Sequence, residues 1–156
     1  MWSVDITGFK RLTIQHLVFD FNGTLAIDGK LIHGMSQRLQ ELAKQFTLHV
    51  VTADTFGQAA AELSSLPVQL NILQGKEQAT AKLKYIELLG PEKVIALGNG
   101  RNDRMMLEKA ALGILVIQQE GAATVSLQAA DMICHTILDA SDLILNPKRL
   151  VASLRD

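Results

Sequence analysis

Short apolar runs alternate with longer amphipathic stretches along most of the chain, and this alternation constrains the fold more than any other feature. Six runs are short, often β-branched and bounded by Gly, Asp or Asn, as is typical of strands. The predicted strands are residues 14–19, 47–51, 68–73, 93–97, 112–117 and 131–135. Between them, apolar residues spaced by three and four predict helices over 35–46 and 79–89. The alternation predicts a doubly wound, mostly parallel α/β sheet that is buried on both faces.

Composition and charge exclude several classes of partner. The 156 residues carry a formal net charge of −1, with 15 basic and 16 acidic residues interspersed along the chain. This balance provides no basic face for nucleic acid or a membrane surface, and no apolar stretch reaches the ~18 residues of a membrane span. The N-terminus lacks the pattern of a signal peptide, and the single Cys134 fits a reducing compartment. We therefore expect a cytoplasmic protein with one domain over residues 1–156.

Two short segments beside the first central strand are expected to form hairpins. The opening stretch WSVDITGFKRLTIQ, residues 2–15, is expected to form an edge hairpin together with that strand. The dipeptide Asp28-Gly29 in LAIDGKLIHG favours a tight two-residue turn. This turn predicts a small β-hairpin flap next to the carboxyl ends of the strands.

Polar residues follow three predicted strands at the point where each strand ends. Asp20 ends the first central strand, Thr52 follows LHVV, and the segment GNGRND, residues 98–103, follows KVIAL. Singly, each has a plain structural explanation, such as a turn at 98–100 or a helix cap by Thr52 and Asp54. Because the carboxyl ends of parallel strands meet at one edge of the sheet, the coincidence of all three predicts a ligand site there.

Four segments, taken together, resemble the motifs of the haloacid dehalogenase-like (HAD) superfamily of aspartate-nucleophile phosphohydrolases. They are DFNGTLA (20–26), VVTADT (50–55), a lysine within ATAKLKYIELLG (79–90) and ALGNGRNDRMML (96–107). The segments look most like those of the phosphorylation domain of P-type ATPases and of its small soluble relatives. The resemblance implies a HAD-like α/β fold and a phosphatase activity that depends on Mg²⁺.

The resemblance assigns roles in phosphoryl transfer to particular residues. Asp20 would be the nucleophile that attacks phosphorus and becomes an aspartyl phosphate. Thr52 and the backbone amides around Gly23 would donate hydrogen bonds to the phosphoryl oxygens. Lys82 would neutralise charge on the nucleophile and on the phosphoryl group, which matters because positioning and electrostatics dominate this chemistry.

Three lysines lie in or near the segment that resembles the lysine motif. Lys82 lies 17 residues before Asn99, close to the spacing in the family, and is the preferred candidate. Lys76 and Lys84 remain alternatives, and a solvated lysine on a helix surface is the plain explanation for all three.

The resemblance also implies a Mg²⁺ site built from oxygen ligands. Its ligands would be the Asp20 carboxylate, the backbone carbonyl of Asn22, the side chain of Asn99 and the carboxylate of Asp103. The sequence departs from the usual family pattern twice, because Asn22 and Asn99 stand where carboxylates are expected. An amide oxygen still binds magnesium but brings no charge, so a weaker Mg²⁺ site is expected.

Asn22 bears on the chemistry as well, because an asparagine cannot carry the proton that an aspartate at this position transfers. Loss of a general acid predicts slower hydrolysis of esters with poor leaving groups, by about 10² to 10⁴, and a longer-lived phosphoenzyme. Two hypotheses follow. The first is a phosphohydrolase or phosphotransferase of low turnover that acts through Asp20. The alternative is a non-catalytic HAD-like module that binds phosphate, nucleotide or a protein partner.

The spacing between the motifs predicts an open, capless site. Only 31 residues lie between Asp20 and Thr52, and 29 lie between Thr52 and Lys82. This leaves no room for the inserted cap domain that many relatives have. An open site admits a phosphorylated small molecule, a phosphoprotein or another macromolecule, unless a second subunit of a homo-oligomer covers it. The sequence does not choose among these alternatives.

Overall fold

The computed structural model of the chain describes residues 1–156. It contains ten strands and seven α-helices, which alternate through most of the chain. The strands are β1 (Trp2–Ile6), β2 (Lys10–Ile14), β3 (His16–Asp20), β4 (Ala26–Ile27), β5 (Lys30–Leu31), β6 (Thr47–Thr52), β7 (Gln69–Ile72), β8 (Val94–Gly98), β9 (Leu112–Val116) and β10 (Met132–Cys134). The helices are α1 (Met35–Leu42), α2 (Gln58–Leu63), α3 (Gln78–Leu89), α4 (Arg104–Lys109), α5 (Thr124–Ala129), α6 (Ile137–Leu145) and α7 (Pro147–Leu154).

Six strands form one parallel sheet in the order β10-β9-β8-β3-β6-β7. The predicted doubly wound, parallel α/β architecture is therefore confirmed. The chain fills one side of β3 first and then crosses to the other side, so β3 and β8 flank the point where the strand order reverses. Ligands of such sheets bind outside the carboxyl ends of the strands at this point. Asp20, Thr52 and Gly98 are the last residues of β3, β6 and β8.

Side chains alternate between the two faces of the sheet, so successive residues of β3 enter different cores. Leu17 and Phe19 belong to the larger core, which is covered by β1, β2, α1, α2, α6 and α7. Val18 belongs to the smaller core, together with Ile86 of α3. Both faces are therefore buried, as predicted. Asp20 follows Val18 by two residues and lies on the α3 side of the sheet.

The N-terminal hairpin forms as predicted, but it is not an edge of the central sheet. β1 and β2 pair antiparallel in a separate two-stranded sheet, with Trp2 opposite Ile14. The predicted strand that begins at Ile14 is divided at Gln15, whose N–H donates to Lys93 O and whose carbonyl accepts from Thr47 N, both at 2.9 Å. Because β3 already has β6 and β8 as neighbours, it has no free edge for β2. The hairpin instead covers the larger core.

The predicted flap is present and is hydrogen-bonded to two neighbouring segments. β4 and β5 pair antiparallel around Asp28 and Gly29, whose φ angles are +51° and +77°. Two positive φ angles define the type I′ turn that suits a tight hairpin. The N–H of Asp28 donates to Glu120 at 3.2 Å, and the N–H of Leu31 donates to Glu62 at 3.0 Å. The flap therefore bridges α2 and the loop that follows β9.

The connections between the first central strands hold no inserted cap. The flap and α1 are the only helix or strand elements between β3 and β6, and α2 is the only one between β6 and β7. This agrees with the predicted capless architecture. None of the helices has the length and apolar character needed to cross a membrane.

Candidate active site

One cavity of about 750 Å³ opens at the carboxyl ends of β3, β6 and β8. Its lining includes Asp20, Asn22, Thr52, Lys82 and Asn99. The structure thus brings these five residues together as predicted, whereas Gly23 does not line the cavity and its N–H donates to Ala26 O at 2.8 Å. Four parts of the fold supply them, because Asp20 ends β3, Thr52 ends β6, Lys82 lies on α3 and Asn99 follows β8.

The centre of the site is an ion pair network around Lys82. Its Nζ atom donates to Asp20 Oδ1 at 2.9 Å and to Asp103 Oδ1 at 2.7 Å. Lys82 is only 2% exposed, so its charge is held by these two carboxylates and not by bulk water. A buried pair of this kind is strongly destabilised when one partner is removed, because the other charge is left unpaired. The network therefore fixes the positions of α3 and of the strand ends relative to one another.

The three candidate lysines lie at different positions relative to Asp20. Lys82 is the lysine whose Nζ atom reaches the Asp20 carboxylate. Lys76 precedes α3 and lines the same cavity at its exposed margin, whereas Lys84 is exposed and does not line the cavity. The geometry favours Lys82 among the three candidates.

The pKa values in the network reflect its burial. Burial raises the pKa of Asp20 to about 7, and the nearby Asp103 carboxylate adds to this effect while Lys82 opposes it. Burial alone would lower the pKa of Lys82, but the Asp20 and Asp103 carboxylates raise it. Lys82 therefore stays protonated. A cation bound beside Asp20 would favour the carboxylate form that a nucleophile requires.

Asp103 organises the loop that follows β8. Its Oδ2 atom accepts hydrogen bonds from Asn99 N at 3.0 Å and Gly100 N at 2.8 Å, while its Oδ1 atom accepts from Lys82. The side chain is fully buried. A Cβ atom at Gly98 would lie 2.6 Å from the Asp103 carboxylate, so this close approach requires glycine. Both carboxylate oxygens of Asp103 are thus engaged by protein donors.

Asn99 joins three loops through its side-chain amide. Its Oδ1 atom accepts from the Thr24 hydroxyl at 3.0 Å, and its Nδ2 atom donates to Gly121 O at 3.1 Å. A Cβ atom at Gly23 would overlap the Asn99 amide, and the φ of +79° at Gly23 also favours glycine. The amide nitrogen is essential to this arrangement, because a carboxylate has no donor for the Gly121 carbonyl.

Asn22 and Thr52 present free hydrogen-bonding groups at the cavity. Asn22 is exposed, and neither its side chain nor its carbonyl oxygen makes a hydrogen bond within the protein. The Thr52 hydroxyl oxygen accepts from Asp54 N at 3.3 Å, which leaves its O–H as a donor. Asp54, not Thr52, caps the following helix, because its carboxylate accepts from Ala59 N at 2.8 Å and from Ala60 N at 3.2 Å.

Comparison of sequences identifies one related protein. No protein-family model matches the chain. An uncharacterized protein of Methanocaldococcus jannaschii is 48% identical over 80 residues, which cover 49% of this chain and 86% of the archaeal protein. The chain belongs to the same family as this archaeal protein.

Solved structures identify the fold. A proposed HAD superfamily (subfamily III A) hydrolase of Legionella pneumophila matches with a TM-score of 0.71 and 18% identity, covering 90% of this chain and 87% of that one. The 3-deoxy-D-manno-octulosonate 8-phosphate phosphatase of Moraxella catarrhalis was solved with magnesium, phosphate and KDO. It matches with a TM-score of 0.70 and 17% identity, covering 91% of this chain and 94% of that one. A cobalt-bound phosphatase for deoxy-D-mannose-octulosonate 8-phosphate from Haemophilus influenzae matches with a TM-score of 0.70 and 16% identity, covering 86% of this chain and 88% of that one. The chain has the HAD fold.

Within this HAD fold, the oxygen ligands at the cavity suit a metal ion that is held by few charged side chains. The Asp20 carboxylate, the free carbonyl of Asn22 and the Asn99 amide oxygen are hard ligands of the type that Mg²⁺ prefers. No group of three or more His, Cys, Asp or Glu residues is placed to hold a metal ion. Mg²⁺ is commonly bound through one or two carboxylates plus a substrate phosphate. The donor set therefore fits a weak magnesium site that a phosphorylated ligand completes.

Gln118 is a residue of this HAD fold that sequence reasoning did not identify. Its Nε2 atom donates to Gly23 O at 3.0 Å and to Thr24 O at 2.9 Å, and its Oε1 atom accepts from Ile137 N at 2.8 Å. It therefore ties the loop after β3 to the start of α6. Gln118 follows β9 by two residues. The strand-end placement that drew attention to Asp20 is the signal that could have found it.

Proposed function

We propose that the protein is a magnesium-dependent phosphohydrolase or phosphotransferase of low turnover, with Asp20 as the nucleophile. The observation that carries the proposal is the contact of Lys82 with both Asp20 and Asp103 at the carboxyl ends of the strands. A lysine held in this way neutralises charge at the nucleophile. Phosphoryl transfer depends mainly on such positioning and charge stabilisation.

The proposed reaction begins with Asp20. Its carboxylate attacks phosphorus in line, the bond from phosphorus to the leaving oxygen breaks, and the phosphoryl group becomes attached to the carboxylate. The Thr52 hydroxyl, which is free to donate, binds one phosphoryl oxygen, and Lys82 balances the charge. Water then attacks the aspartyl phosphate and releases phosphate. Transfer to another acceptor hydroxyl would give phosphotransferase activity by the same route.

Asn22 limits the rate of both halves of this reaction. It lines the cavity without any hydrogen bond, but it cannot give a proton to the leaving group or take one from water. Phosphate esters with poor leaving groups should therefore react slowly, whereas activated phosphates such as acyl phosphates should depend less on residue 22.

Magnesium would be held by the Asp20 carboxylate, the Asn22 carbonyl and the Asn99 amide oxygen. Asp103 would act on the ion through water, since its fully buried carboxylate does not line the cavity and both of its oxygens accept hydrogen bonds from the protein. When bound, the ion supplies positive charge that balances the phosphoryl oxygens. The presence of magnesium and phosphate in the structurally similar Moraxella catarrhalis phosphatase supports this assignment.

A phosphorylated small molecule is the proposed substrate. The cavity of about 750 Å³ falls within the range of small-molecule sites, about 300–1,000 Å³. The structurally similar phosphatases from Moraxella catarrhalis and Haemophilus influenzae act on a phosphorylated sugar acid, which supports this class.

We also propose a single domain that acts in the cytoplasm, which the free thiol of Cys134 supports. The likeness to P-type ATPases remains a prediction.

Hydrolysis assays test the proposal. Phosphate release from p-nitrophenyl phosphate and acetyl phosphate should require Mg²⁺ in the wild-type protein and should be lost in Asp20→Ala. Lys84→Ala provides a matched control, because Lys84 is exposed and lies outside the cavity. Equal inactivity of the wild-type protein and Asp20→Ala at saturating Mg²⁺ would overturn the enzymatic proposal.

One observation favours a second candidate, a module that binds phosphate without hydrolysing it. The amide of Asn99 is hydrogen-bonded at both its oxygen and its nitrogen, so the loops around the site are held together without a metal ion. Such a module would bind inorganic phosphate with an affinity that does not depend on Mg²⁺. Calorimetric titration with phosphate, with Mg²⁺ and with EDTA, distinguishes the two candidates.

A further inference from the structure

Three cationic side chains line the proposed active-site cavity without an acidic partner. They are Lys76, Arg101 and Arg104, and we call them the basic rim. None of them forms a salt bridge or donates a side-chain hydrogen bond within the protein. Lys76 and Arg101 are exposed, and Arg104 is half-buried. Unpaired cations are ordinary on a protein surface, but three that converge on one cavity are not explained by solubility alone.

The charge already inside the cavity does not require the basic rim. Lys82 is balanced by Asp20 and Asp103, so the centre of the site carries a formal charge of −1 when both carboxylates are ionised and needs no further cation. The other acidic residue of the lining is Glu77, which leaves the margin of the cavity with an excess of positive charge. A cleft with charge of one sign concentrates ligands of the opposite sign.

The transferred phosphoryl group alone does not occupy this margin. That group must lie against Asp20, Thr52 and Lys82, whereas the basic rim belongs to the segment before α3 and to the segment 101–104. The cavity volume of about 750 Å³ is that of a whole small-molecule site. The remainder of a substrate would therefore extend from the phosphoryl position toward the rim.

We propose that the basic rim binds a second anionic group of the substrate, so that the preferred substrates are phosphate esters that also carry a carboxylate or a second phosphate. This inference rests on the proposed function and adds the substrate class. Arg101 and Arg104 supply planar guanidinium groups that match either oxyanion in a bidentate manner, and Lys76 supplies a point charge.

Three phosphate esters on the same three-carbon skeleton test the proposal. sn-Glycerol 3-phosphate has no second anion, 3-phosphoglycerate has a carboxylate, and glycerol 1,3-bisphosphate has a second phosphate. Because the leaving groups are all primary alcohols, the effect of Asn22 cancels when kcat/KM values are compared. We expect kcat/KM for at least one of the two substrates with a second anionic group to exceed that for sn-glycerol 3-phosphate by about tenfold or more, as expected for one charge-assisted bond. The comparison of carboxylate with phosphate identifies which anion the rim prefers.

The double variant Arg101→Gln, Arg104→Gln should bring this ratio of kcat/KM values close to one. Lys84→Gln is the matched control, since it removes an exposed cation of α3 outside the cavity and should leave the ratio unchanged. Added salt should also reduce the ratio in the wild-type protein, because exposed charges are screened.

Binding to Asp20→Ala, measured by calorimetry with the same three ligands, separates this proposal from the proposed function. If the wild-type protein turns over all three esters with similar kcat/KM values, the proposed role of the basic rim is overturned, while the proposed phosphohydrolase activity stands. Absence of turnover of these esters and of acetyl phosphate, together with a tenfold preference in binding that disappears when both arginines are also replaced, would support the rim and overturn hydrolysis. Absence of both turnover and binding preference would overturn both proposals.

Discussion

Asn22 and Asn99 line the same cavity, but their surroundings differ. Asn22 is exposed, and its side chain forms no hydrogen bond. Asn99 is 7% exposed, and its amide accepts from Thr24 and donates to Gly121. The region around Asn22 therefore has no structural dependence on the amide, whereas the region around Asn99 is held together by it.

This difference separates the chemical effect of an asparagine from its structural effect. At position 22, an asparagine in place of an aspartate leaves the site without a proton carrier but does not affect the fold. At position 99, the amide provides the donor that satisfies the Gly121 carbonyl, so the loops after β3, β8 and β9 are joined without help from an ion. A carboxylate at position 99 would face that carbonyl and would need a cation to coexist with it.

The largest expected effect is on catalysis by Asn22→Asp. The new carboxylate can transfer protons, so kcat/KM for sn-glycerol 3-phosphate should rise by about 10² to 10⁴. Acetyl phosphate, which has a better leaving group, should gain less. Phosphate release at saturating Mg²⁺ measures both. Stability should change by less than about 0.5 kcal/mol, as for an exposed site. No increase in a folded, magnesium-saturated variant would contradict the role proposed for position 22.

The same substitution at position 99 should act mainly on stability. Asn99→Asp replaces the donor to Gly121 O by a buried negative charge, which should lower the free energy of unfolding by about 3 kcal/mol in EDTA. Mg²⁺ should restore part of this loss, because the new carboxylate is a better ligand than an amide. Urea unfolding with and without Mg²⁺ tests this, with Asn22→Asp as the matched control. Equal stability of both variants in EDTA would remove the distinction between the two regions.

A third asparagine sharpens the comparison, because the half-buried Asn71 also acts as a donor. Its Nδ2 atom donates to the Tyr85 hydroxyl at 2.7 Å, and Tyr85 lies 2.8 Å from His49 Nδ1. His49 Nε2 lies 3.1 Å from His16 Nδ1. Burial lowers the pKa of His49 to about 4, and the nearby His16 adds to this effect. Burial also lowers the pKa of His16, so both imidazoles favour the neutral form in the folded protein.

The lowered pKa of His49 predicts a loss of stability in acid. Between pH 6.5 and pH 4 the unfolded chain binds a proton at His49 that the folded protein does not, so the free energy of unfolding falls as the pH decreases. The expected contribution is about 2 kcal/mol after allowance for partial solvent access. Urea unfolding of the wild-type protein and of His49→Gln across this range measures the contribution of His49 and its coupling to His16, because the groups away from this pair titrate alike in both. Parallel pH profiles would show that His49 is not responsible.

The smallest expected effect concerns the hydroxyl that donates to Asn99. Thr24→Val removes one buried hydrogen bond while keeping the shape of the side chain, and it should lower the free energy of unfolding by about 1 kcal/mol. Thr24→Ser keeps the hydroxyl and controls for the bond itself. Thermal or urea unfolding measures the difference between the two variants. If Thr24→Val were as stable as Thr24→Ser, the Asn99 link would have no energetic importance.

The strand ends of this site were predictable from sequence, because short apolar runs mark strands and parallel strands bring their carboxyl ends together. The sequence favoured Lys82 through its spacing to Asn99 but left Lys76 and Lys84 open, since the decision depends on where α3 begins and which face it buries. Lys82 lies four residues before the buried Ile86 and therefore shares its face, whereas Lys84 faces solvent.

The links between loops were beyond prediction for a different reason. Thr24 and Asn99 are 75 residues apart, and Gln118 reaches Gly23 across 95 residues. No periodic pattern connects such pairs, because loop conformations and not helix or strand geometry bring them together. The separation of the N-terminal hairpin from the central sheet was missed for a related reason, since the neighbours of β3 come from distant parts of the chain.

The most direct test of the central claim is a search for phosphate on Asp20. The wild-type protein is mixed with acetyl phosphate and Mg²⁺, quenched in acid, and analysed by intact mass and by peptide mapping. The account predicts one added phosphoryl group on the peptide that contains Asp20, absent in Asp20→Ala and lost faster in Asn22→Asp than in the wild-type protein. An unmodified wild-type protein at saturating acetyl phosphate and Mg²⁺, or the same added mass in Asp20→Ala, would contradict Asp20 as the nucleophile.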